Sequence, residues 1–420
     1  MTPAAVLADA LDAALGGGVA RIGAAVSGGG DSMALMALLA EWGRATGVAV
    51  AVATVDHGLR AEAAAEADLV ARTAAGLGLP HTLLRWSGWD GQGNLQAAAR
   101  AARYRLLGDW AGDAGIGHVC LAHTRDDQAE TVLLRLARGS GVDGLAAMGP
   151  VRRDAAGMVW LRPLLGVGHA DLRSNLIARG IGWVEDPSNA DMRFDRVKAR
   201  QLLASGVLPG LDAGTLSQTA VRMAAAREVL GRAAATAAEA LADVAHGAIT
   251  FDLAGFAATP DETRWRLLSA ALCRVSGQVY RPRLQALHEA EAAALAGSAF
   301  TLHGCVVSGL GGRLRIDREF SAAARAAVPV PGVWDGRWNI RGPAGPGLVA
   351  GALGAADLAA CPGWRDCGIP RAALIASPAV REAGVLRAVP LVDTALRHAS
   401  PWSAEPVWDK LVFCADLMSD

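Results

Sequence analysis

The sequence predicts an α/β fold: a doubly wound parallel sheet in an N-terminal domain, followed by a helical domain and a small C-terminal module. Short apolar runs alternate with longer helical patterns through the first half of the chain, which is typical of strands that helices cover on both faces. A glycine-rich turn follows the first run, and polar clusters follow two others. Ligands bind beyond the carboxyl ends of the strands in such sheets, so we expect these clusters to form one site.

The first half of the chain contains four predicted strands and four predicted helices. The strands are Ile22–Val26, Val48–Val55, His81–Trp86 and His118–Ala122. The helices are Ser32–Gly43, Ala61–Gly76, Leu95–Gly115 and Asp126–Arg138. This strict alternation predicts a parallel sheet with helical crossovers.

The pattern changes after about Pro209. Leu216–Val244 reads as a long alanine-rich helix, and Asp261–Ala296 reads as two helices that separate near Tyr280. Short strand-like pieces follow in Phe300–Asp317, and Trp334–Ile340 carries a further strand signal. We therefore predict three domains, which cover residues 1–210, 211–327 and 328–420.

The composition excludes several classes of site. Only Lys198 and Lys410 are lysines among the 40 basic residues, so no P-loop lysine or Schiff-base lysine exists in the first 197 residues. The six cysteines form no CxxC pair, which argues against a zinc ribbon, an iron–sulfur cluster or a disulfide framework. Neither an export signal nor a membrane-spanning run is evident. We expect a soluble, cytoplasmic protein without a membrane partner.

The loop SGGGDS is the first candidate binding element. Its glycines allow positive φ, and its backbone N–H groups together with the following helix favour an anion. Asp31 would repel bare phosphate, so its presence suggests Mg²⁺ on the phosphate oxygens. A glycine-rich turn without a ligand would look similar when taken alone. The residues expected to bind a nucleotide here are Ser27, Gly28, Gly29, Gly30, Asp31 and Ser32.

The segment DHGLR follows the second predicted strand. An acidic residue at this place in a doubly wound sheet commonly meets the nucleoside of a bound nucleotide. Asp56 and His57 are therefore candidate nucleotide-binding residues. Spacing alone slightly favours a polar loop that only ends a buried strand.

The segment HTRDDQAET combines a helix cap with a cluster of acids. Thr124 is expected to cap the helix with Asp127 as its reciprocal partner. Asp126 and Glu130 stand four residues apart and repel each other unless a cation lies between them. A metal ion or an ammonium group would relieve that repulsion. His123 precedes the cluster and is a candidate for phosphate binding or proton transfer.

Arginine clusters provide further candidates. Arg100, Arg103 and Tyr104 share one helical face, and Arg100 is expected to neutralise charge on an α-phosphate. Solvated helix faces would give similar patterns. Two other basic groups are candidates for contacts with nucleic acid: Arg193, Arg196, Lys198 and Arg200 form one, and Arg264, Arg266, Arg274, Arg281 and Arg283 form the other.

Six motifs in order resemble those of the tRNA(Ile)-lysidine synthases, a family of the N-type ATP pyrophosphatase superfamily with a Rossmann-like PP-loop domain. They are SGGGDS, VDHGLR, NLQAAARAARY, AHTRDDQAET, RLARGSGVDGLAAM, and RPLL followed by WVEDPSN. The specific resemblance covers about Ala20–Pro209. After DPSN the family pattern leads us to expect an Arg-Asn pair, whereas this chain has Asp195 and Arg196. The segment keeps its basic character but lacks the asparagine.

The resemblance implies an ATP-dependent carbon–nitrogen ligase. ATP adenylates the C2 oxygen of the wobble cytidine of tRNA(Ile), and the ε-amine of free L-lysine then displaces AMP. The implied catalytic residues are Asp31, Arg100, His123, Asp127 and Glu130. Asp31 and Asp126 are the implied Mg²⁺ ligands. The implied tRNA-binding residues are Arg196, Lys198, Arg200, Arg264 and Arg266.

Three alternatives compete with this reading. A tRNA 2-thiolation enzyme with a cluster needs paired cysteines, and an amidotransferase-type synthetase needs a glutaminase domain with a nucleophilic cysteine. Cys120 lies inside a predicted strand instead. A nucleotide sensor without catalysis would not need the acid cluster. The sequence leaves the oligomeric state open, and a homodimer is one state to test.

Overall fold

The computed structural model divides the chain into two compact units. Unit 1 comprises Met1–Arg227 and unit 2 comprises Glu228–Ser419, with the division inside one long helix, Ala213–Leu241. The predicted division into three domains stays a prediction beside this one. The structure describes residues 1–58, 63–87, 89, 93–154, 156–185 and 191–418. Residues 59–60 of DHGLR, the predicted helix start at Ala61 and residues 186–189 of WVEDPSN lie outside the described residues.

A six-stranded sheet forms the centre of unit 1. Its strands are β1 (Arg21–Ala25), β2 (Ala49–Asp56), β3 (His81–Arg85), β4 (His118–Cys120), β5 (Val151–Arg153) and β6 (Val159–Leu161). The strand order is β3-β2-β1-β4-β6-β5, and all neighbours are parallel except β5 and β6. The predicted α/β fold with a doubly wound parallel sheet is confirmed. The short pair β5 and β6 was not predicted.

Eight helices accompany this sheet among the described residues of unit 1. They are α1 (Pro3–Leu15), α2 (Gly30–Thr46), α3 (Ala63–Gly76), α4 (Leu95–Asp113), α5 (Arg125–Leu136), α6 (Val142–Leu145), α7 (His169–Ala178) and α8 (Asp195–Ala204). The long helix α9 (Ala213–Leu241) follows. Helix α2 begins at Gly30, two positions before the predicted Ser32, so part of the glycine loop is its first turn.

Helix α2 is deeply buried over most of its length. Every residue from Ser32 to Ala40 is buried, and the apolar ones pack with Ile22, Val52 and Leu172 in one core. A helix that is apolar on all sides belongs in the interior. The glycine loop at its N-terminus is therefore anchored to the least exposed part of the fold.

Parallel pairing brings the three predicted polar clusters to one edge of the sheet. Strands β2, β1 and β4 are adjacent and parallel, so their carboxyl ends lie at the same edge. SGGGDS follows β1, Asp56 ends β2, and AHTRDDQAET follows β4. The predicted convergence of these segments is thus reproduced by the strand order.

Unit 2 begins with a five-stranded antiparallel sheet and three main helices. The strands are β7 (Ala242–Ala245), β8 (Ala248–Asp252), β9 (Ala299–Leu302), β10 (Cys305–Leu310) and β11 (Arg313–Arg318), in the order β7-β8-β11-β10-β9. The helices are α10 (Leu253–Ala258), α11 (Asp261–Ser276) and α12 (Leu284–Leu295). The predicted break near Tyr280 is confirmed. The predicted helix Leu216–Val244 ends earlier, because its last residues form β7.

The last part of the chain builds two further small sheets. One contains β12 (Ala327–Pro329), β15 (Leu348–Ala352), β16 (Pro378–Glu382) and β17 (Val385–Ala388). The other contains β13 (Gly332–Trp334), β14 (Trp338–Arg341) and β18 (Ser403–Pro406). The short helices are α13 (Phe320–Ala323), α14 (Ala355–Ala360), α15 (Arg371–Ile375), α16 (Pro390–Ala395) and α17 (Lys410–Asp416), with a 3₁₀ turn at Trp364–Cys367.

The prediction of one strand over Trp334–Ile340 is wrong in detail. Asp335 and Gly336 both have positive φ, of 50° and 63°, and they turn the chain between β13 and β14. An Asp-Gly pair is a preferred sequence for a tight hairpin turn, because both residues tolerate this backbone conformation. Among the described residues, no helix combines the length and the apolar character that crossing a membrane requires.

A substitution at Gly309 would test the packing of α12 on β10. A Cβ atom at this position would lie 1.9 Å from the carbonyl oxygen of Ala294. We expect Gly309→Ala to displace the helix and to lower the free energy of unfolding by about 1–3 kcal/mol, seen as a lower midpoint of thermal unfolding. Ser308→Ala is the matched control, since Ser308 lies in the same strand and already carries a Cβ atom. Equal midpoints for the two variants would contradict this packing.

Candidate active site

A cleft of about 970 Å³ lies at the carboxyl edge of the sheet in unit 1. The glycine loop forms one wall, the loop and first turns around α5 form another, and α7 and α8 complete it. The lining residues with functional groups include Ser27, Asp31, Ser32, Arg103, His123, Asp127, His169, Arg196 and Arg200. The cleft thus gathers most of the candidates from SGGGDS, with His123 and Asp127 from AHTRDDQAET and two arginines of α8, whereas Asp126 and Glu130 are not among the described lining residues.

The glycine loop is closed by its own serine. The hydroxyl group of Ser32 donates to the carbonyl oxygen of Gly29 at 2.9 Å and accepts from the backbone N–H of Ser27 at 3.1 Å. Gly28 has φ of 91°, a conformation that favours glycine. Its carbonyl oxygen accepts from the N–H of Val184 at 2.9 Å. The loop is therefore held in one shape from both sides, as a preformed anion cradle requires.

Asp31 and Asp126, the two predicted metal ligands, share one neighbour. Nδ1 of His169 lies 2.8 Å from Oδ1 of Asp31, and the backbone N–H of His169 donates to Oδ2 of Asp126 at 2.8 Å. Burial alone would lower the pKa of His169, but its hydrogen bond to Asp31 and the nearby carboxylates raise that pKa above its ordinary value. The described residues include no group of three or more His, Cys, Asp or Glu side chains arranged to hold a metal ion.

The predicted capping box at the start of α5 is confirmed. Asp127 Oδ2 accepts from the N–H of Thr124 at 2.9 Å, and the Thr124 hydroxyl accepts from the N–H of Asp127 at 3.3 Å. Arg196 Nη1 lies 4.0 Å from Oδ1 of Asp127. One oxygen of Asp127 therefore fixes the helix, while the other faces a cation in the cleft.

Glu130 is buried and paired with an arginine. Its side chain is 1% exposed, and Oε1 accepts from Nε of Arg200 at 2.7 Å. Oε2 is buried without a hydrogen-bond partner among the described residues. Burial raises the pKa of Glu130, although Arg200 opposes that shift.

The expected cation between Asp126 and Glu130 stays a prediction. Among the described residues the two carboxylates have different partners, since Asp126 accepts from the backbone N–H of His169 and Glu130 accepts from Arg200. Side chains four residues apart start on the same face of a helix, so these two carboxylates reach different neighbours through their own side-chain conformations.

His123 lies at the tip of β4 with a strongly altered pKa. Burial and the nearby arginines lower this pKa to about 4, although Asp127 opposes the shift. Its Nδ1 is buried without a hydrogen-bond partner among the described residues. The imidazole is therefore neutral at pH 7 and is available for a hydrogen bond to a ligand.

The arginines of α4 do not occupy the positions expected from the sequence. Arg103 lines the cleft, whereas Arg100 is not among the lining residues. Arg100 instead donates to the hydroxyl group of Tyr104 at 3.3 Å and lies over its ring. The predicted role of Arg100 at the α-phosphate stays a prediction, and Arg103 is the arginine of α4 among the described residues that line the cleft.

Asp56 and His57 lie at the end of β2 but are not among the described residues that line the cleft. Asp56 Oδ1 accepts from the N–H of Gly58 at 2.8 Å, which closes a tight turn. The ring of His57 packs edge-on against Trp86, and burial lowers its pKa. Their predicted contact with a nucleoside stays a prediction.

The predicted role of Arg264 and Arg266 in binding tRNA stays a prediction, and both side chains are largely buried. The Arg266 side chain is only 7% exposed and pairs with Glu262 at 2.9 Å. Arg264 is 17% exposed and pairs with Glu291 at 2.5 Å. The two guanidinium groups are thus largely buried against carboxylates, so the geometry gives no support to a role in binding tRNA. Lys198, in contrast, is exposed and pairs with Asp195 at 3.1 Å.

Sequence reasoning missed His169, the residue that joins Asp31 and Asp126. It lies seven positions after the RPLL motif starts, at the beginning of a helix that was not predicted. The only available signal was the proximity of RPLL to the other motifs. A lone histidine carries no information about partners that lie 138 and 43 positions away.

Comparisons with known proteins agree with this geometry. A family model described as a PP-loop domain matches residues 8–206. The tRNA(Ile)-lysidine synthase of Ruegeria pomeroyi is 51% identical over 353 residues, which are 84% of this chain and 84% of that protein. The tRNA(Ile)-lysidine synthase of Rhodopseudomonas palustris is 47% identical over 308 residues, covering 70% and 88% of the two chains. The similarity is longer than the PP-loop domain and so extends beyond it.

The altered pKa of His123 is directly testable. We expect its ring to stay neutral from pH 7 down to about pH 4, because it is buried among arginines. The measurement is an NMR titration of the ¹³C-labelled histidine rings, with His123→Gln identifying the signal of His123 among the nine histidines. A midpoint of about 6.5, as in an exposed histidine, would show that the ring is solvated instead.

Proposed function

The chain belongs to the tRNA(Ile)-lysidine synthase family, and we propose that it joins free L-lysine to C2 of the wobble cytidine of tRNA(Ile) at the expense of ATP. The observation that carries this proposal is the meeting of two groups of residues in one cleft. The closed glycine loop with Asp31 suits a departing pyrophosphate. The acids and arginines between α5 and α8 suit an amino acid with charged groups. Both substrates must approach the same base, so a single cleft is what the reaction requires.

The first step is adenylation. The C2 oxygen of the cytidine attacks the α-phosphorus of ATP, and pyrophosphate leaves. The N–H groups of the glycine loop and the N-terminus of α2 stabilise the phosphates, in place of the lysine that a P-loop would use. Arg103 lines the cleft and can neutralise charge on the α-phosphate. Burial lowers the pKa of Arg103, but a guanidinium group remains charged at neutral pH.

Asp31 and Asp126 are the side chains that would hold Mg²⁺. Each uses one oxygen for His169, and neither has another hydrogen-bond or ion-pair partner among the described residues. Mg²⁺ commonly takes one or two carboxylates and completes its shell with phosphates and water, so two acids fit this ion. Bound there, it would offset the charge of the ATP phosphates.

His123 contributes a neutral hydrogen-bonding group. Because its pKa is about 4, the ring adds no positive charge to the cleft at pH 7. We propose that it bonds to the phosphate or to the base during adenylation. The arginines and Mg²⁺ would then neutralise the negative charge of the phosphates.

The second step uses lysine. Its ε-ammonium group, with a pKa of about 10.4 in water, must lose a proton before the amine attacks C2 and releases AMP. We propose that Asp127 and Glu130 bind this ammonium group and that one of them accepts the proton. Burial raises the pKa of Glu130, which makes its carboxylate a stronger base than that of an ordinary glutamate. Arg196 and Arg200 face these acids with partly exposed side chains, which supports the proposal that this side of the cleft takes an amino acid with charged groups.

The tRNA contacts are proposed for the exposed arginines and lysine of α8. Arg196 has half of its side chain exposed, and Lys198 is exposed by 54%. Side chains read single-stranded loops of RNA more easily than A-form grooves, so an anticodon loop that enters the cleft suits this arrangement. Contacts to phosphates there would weaken with salt.

The overall reaction is tested with ATP, labelled lysine and a transcript of tRNA(Ile) that carries the wobble cytidine. We expect label in the tRNA, one AMP and one pyrophosphate for each lysine incorporated, and lysidine after nucleoside digestion. The matched control is the same transcript with uridine at the wobble position, which presents a different pattern of donors and acceptors and should stay unlabelled. Pyrophosphate release without incorporation of lysine into the cytidine transcript would refute the proposed ligation.

The two steps can be separated at Asp127 and Glu130. Asp127→Asn and Glu130→Gln keep the acceptor oxygens for Thr124 and Arg200 but remove a negative charge. Losing one charge-assisted hydrogen bond costs about 1.5–3 kcal/mol, so lysine use should fall by roughly ten- to a hundredfold with a raised KM for lysine. Pyrophosphate release without lysine should stay close to that of the unaltered protein.

Asp195→Asn is the control for this experiment, because Asp195 is an exposed acid that also lines the cleft. It should leave the KM for lysine nearly unchanged. If both Asp127→Asn and Glu130→Gln fail first in pyrophosphate release, these acids serve ATP and its metal ion instead of lysine.

A further inference from the structure

His169 occupies a junction between three elements of unit 1. Its ring meets Asp31 in the first turn of α2, and its backbone N–H meets Asp126 in the first turn of α5, both at 2.8 Å. His169 is itself the first residue of α7. The two acids lie far apart in the sequence, and this one residue contacts both of them.

The backbone contact to Asp126 is a helix cap supplied from another helix. The first N–H groups of a helix lack partners within it, and the residue before α7, Gly168, has no side chain to provide one. Asp126 provides it instead. A Cβ atom at position 168 would lie 2.4 Å from Nη2 of Arg125, so a larger residue there would require the guanidinium group of Arg125 to move.

The ring contact to Asp31 lies largely out of solvent. The side chain of His169 is only 24% exposed, and its Nε2 is buried without a hydrogen-bond partner among the described residues. The hydrogen bond from Nδ1 to Asp31 is therefore the polar contact that orients the ring. Asp31 is 30% exposed in its side chain and has no other hydrogen-bond or ion-pair partner among the described residues, so His169 is the neighbour that restrains its carboxylate.

We propose that His169 is a positioning residue, which holds Asp31 and Asp126 in the one arrangement that lets both carboxylates bind the same Mg²⁺ with ATP. This inference rests on the function proposed above. Neighbours that orient a metal ligand typically change metal affinity by 10- to 100-fold when they are removed. The effect is expected on the Asp31 side, because the bond to Asp126 comes from the backbone and survives a change of side chain.

The test measures ATP binding by calorimetry without tRNA, at several Mg²⁺ concentrations and with EDTA. His169→Leu removes the ring nitrogen while keeping an apolar side chain of similar bulk. We expect it to raise the Mg²⁺ concentration needed for tight ATP binding by about 10- to 100-fold. Binding of ATP in EDTA should change by no more than about twofold. His169→Asn, whose amide can donate to Asp31 from nearly the position of Nδ1, should restore most of the Mg²⁺ response.

A double-mutant cycle with Asp31→Asn supplies the second measurement. If His169 acts through Asp31, His169→Leu should have little further effect on the Mg²⁺ response once Asp31 has lost its charge. His169→Ala replaces His169→Leu in every arm should the leucine variant not fold. An equal loss of ATP binding in EDTA, an unchanged Mg²⁺ response, or additive effects in the cycle would each overturn the positioning role.

These outcomes are separate from a failure of the proposed function. If the unaltered protein binds Mg²⁺ and ATP with the expected coupling but does not attach lysine to the tRNA, the ligation is refuted and the role of His169 stands. If lysine is attached while His169→Leu leaves the Mg²⁺ response intact, the ligation stands and the positioning role of His169 is refuted.

Discussion

The candidate site depends on the parallel pairing of β1 with its two neighbours, β2 and β4. This pairing sets the carboxyl ends of three strands side by side, and the helices that follow them start at the same edge. The residue at the centre of β1 must be small for this to happen. A Cβ atom on Gly23 would lie 2.9 Å from the ring of Trp110, so only glycine lets α4 pack closely against the strand. Arg103, also on α4, owes its place in the cleft to that packing.

Helix α5 combines structural and chemical roles within two turns. Asp127 holds the capping box, Gln128 bonds through both ends of its amide to the backbone of Met148, and Asp126 caps α7. Carboxylates in the first turn of a helix are electrostatically stabilised, because helix N-termini favour negative charge. The same carboxylates that accept these structural hydrogen bonds can then also face ligands. Substitutions that remove the charge but keep an acceptor oxygen are therefore the informative ones, because they leave the structural hydrogen bonds in place.

The sequence predicted the sheet, most of the helices around it and the capping box, because these follow from local periodicity and spacing. It did not predict His169, since the evidence for that residue is its contact with two distant acids. It named Arg100 where Arg103 faces the cleft, because both share a helical face and only the packing of α4 decides between them. It could not predict the ion pair of Arg264 either, because the partner Glu291 lies on the next helix.

The adjacent acids Asp126 and Asp127 show how one helix can divide the work of two half-reactions. Neighbouring positions on a helix point about 100° apart. Asp126 turns to α7 and shares His169 with Asp31, which belongs to the glycine loop. Asp127 turns to Arg196 on α8, the helix whose Arg200 meets Glu130 one turn further along α5. In the proposed function, the side of α5 that faces α7 would serve the phosphates, and the side that faces α8 would serve the amino acid. The base must reach both, so its adenylated C2 is best placed over the first turn of α5, between the two groups.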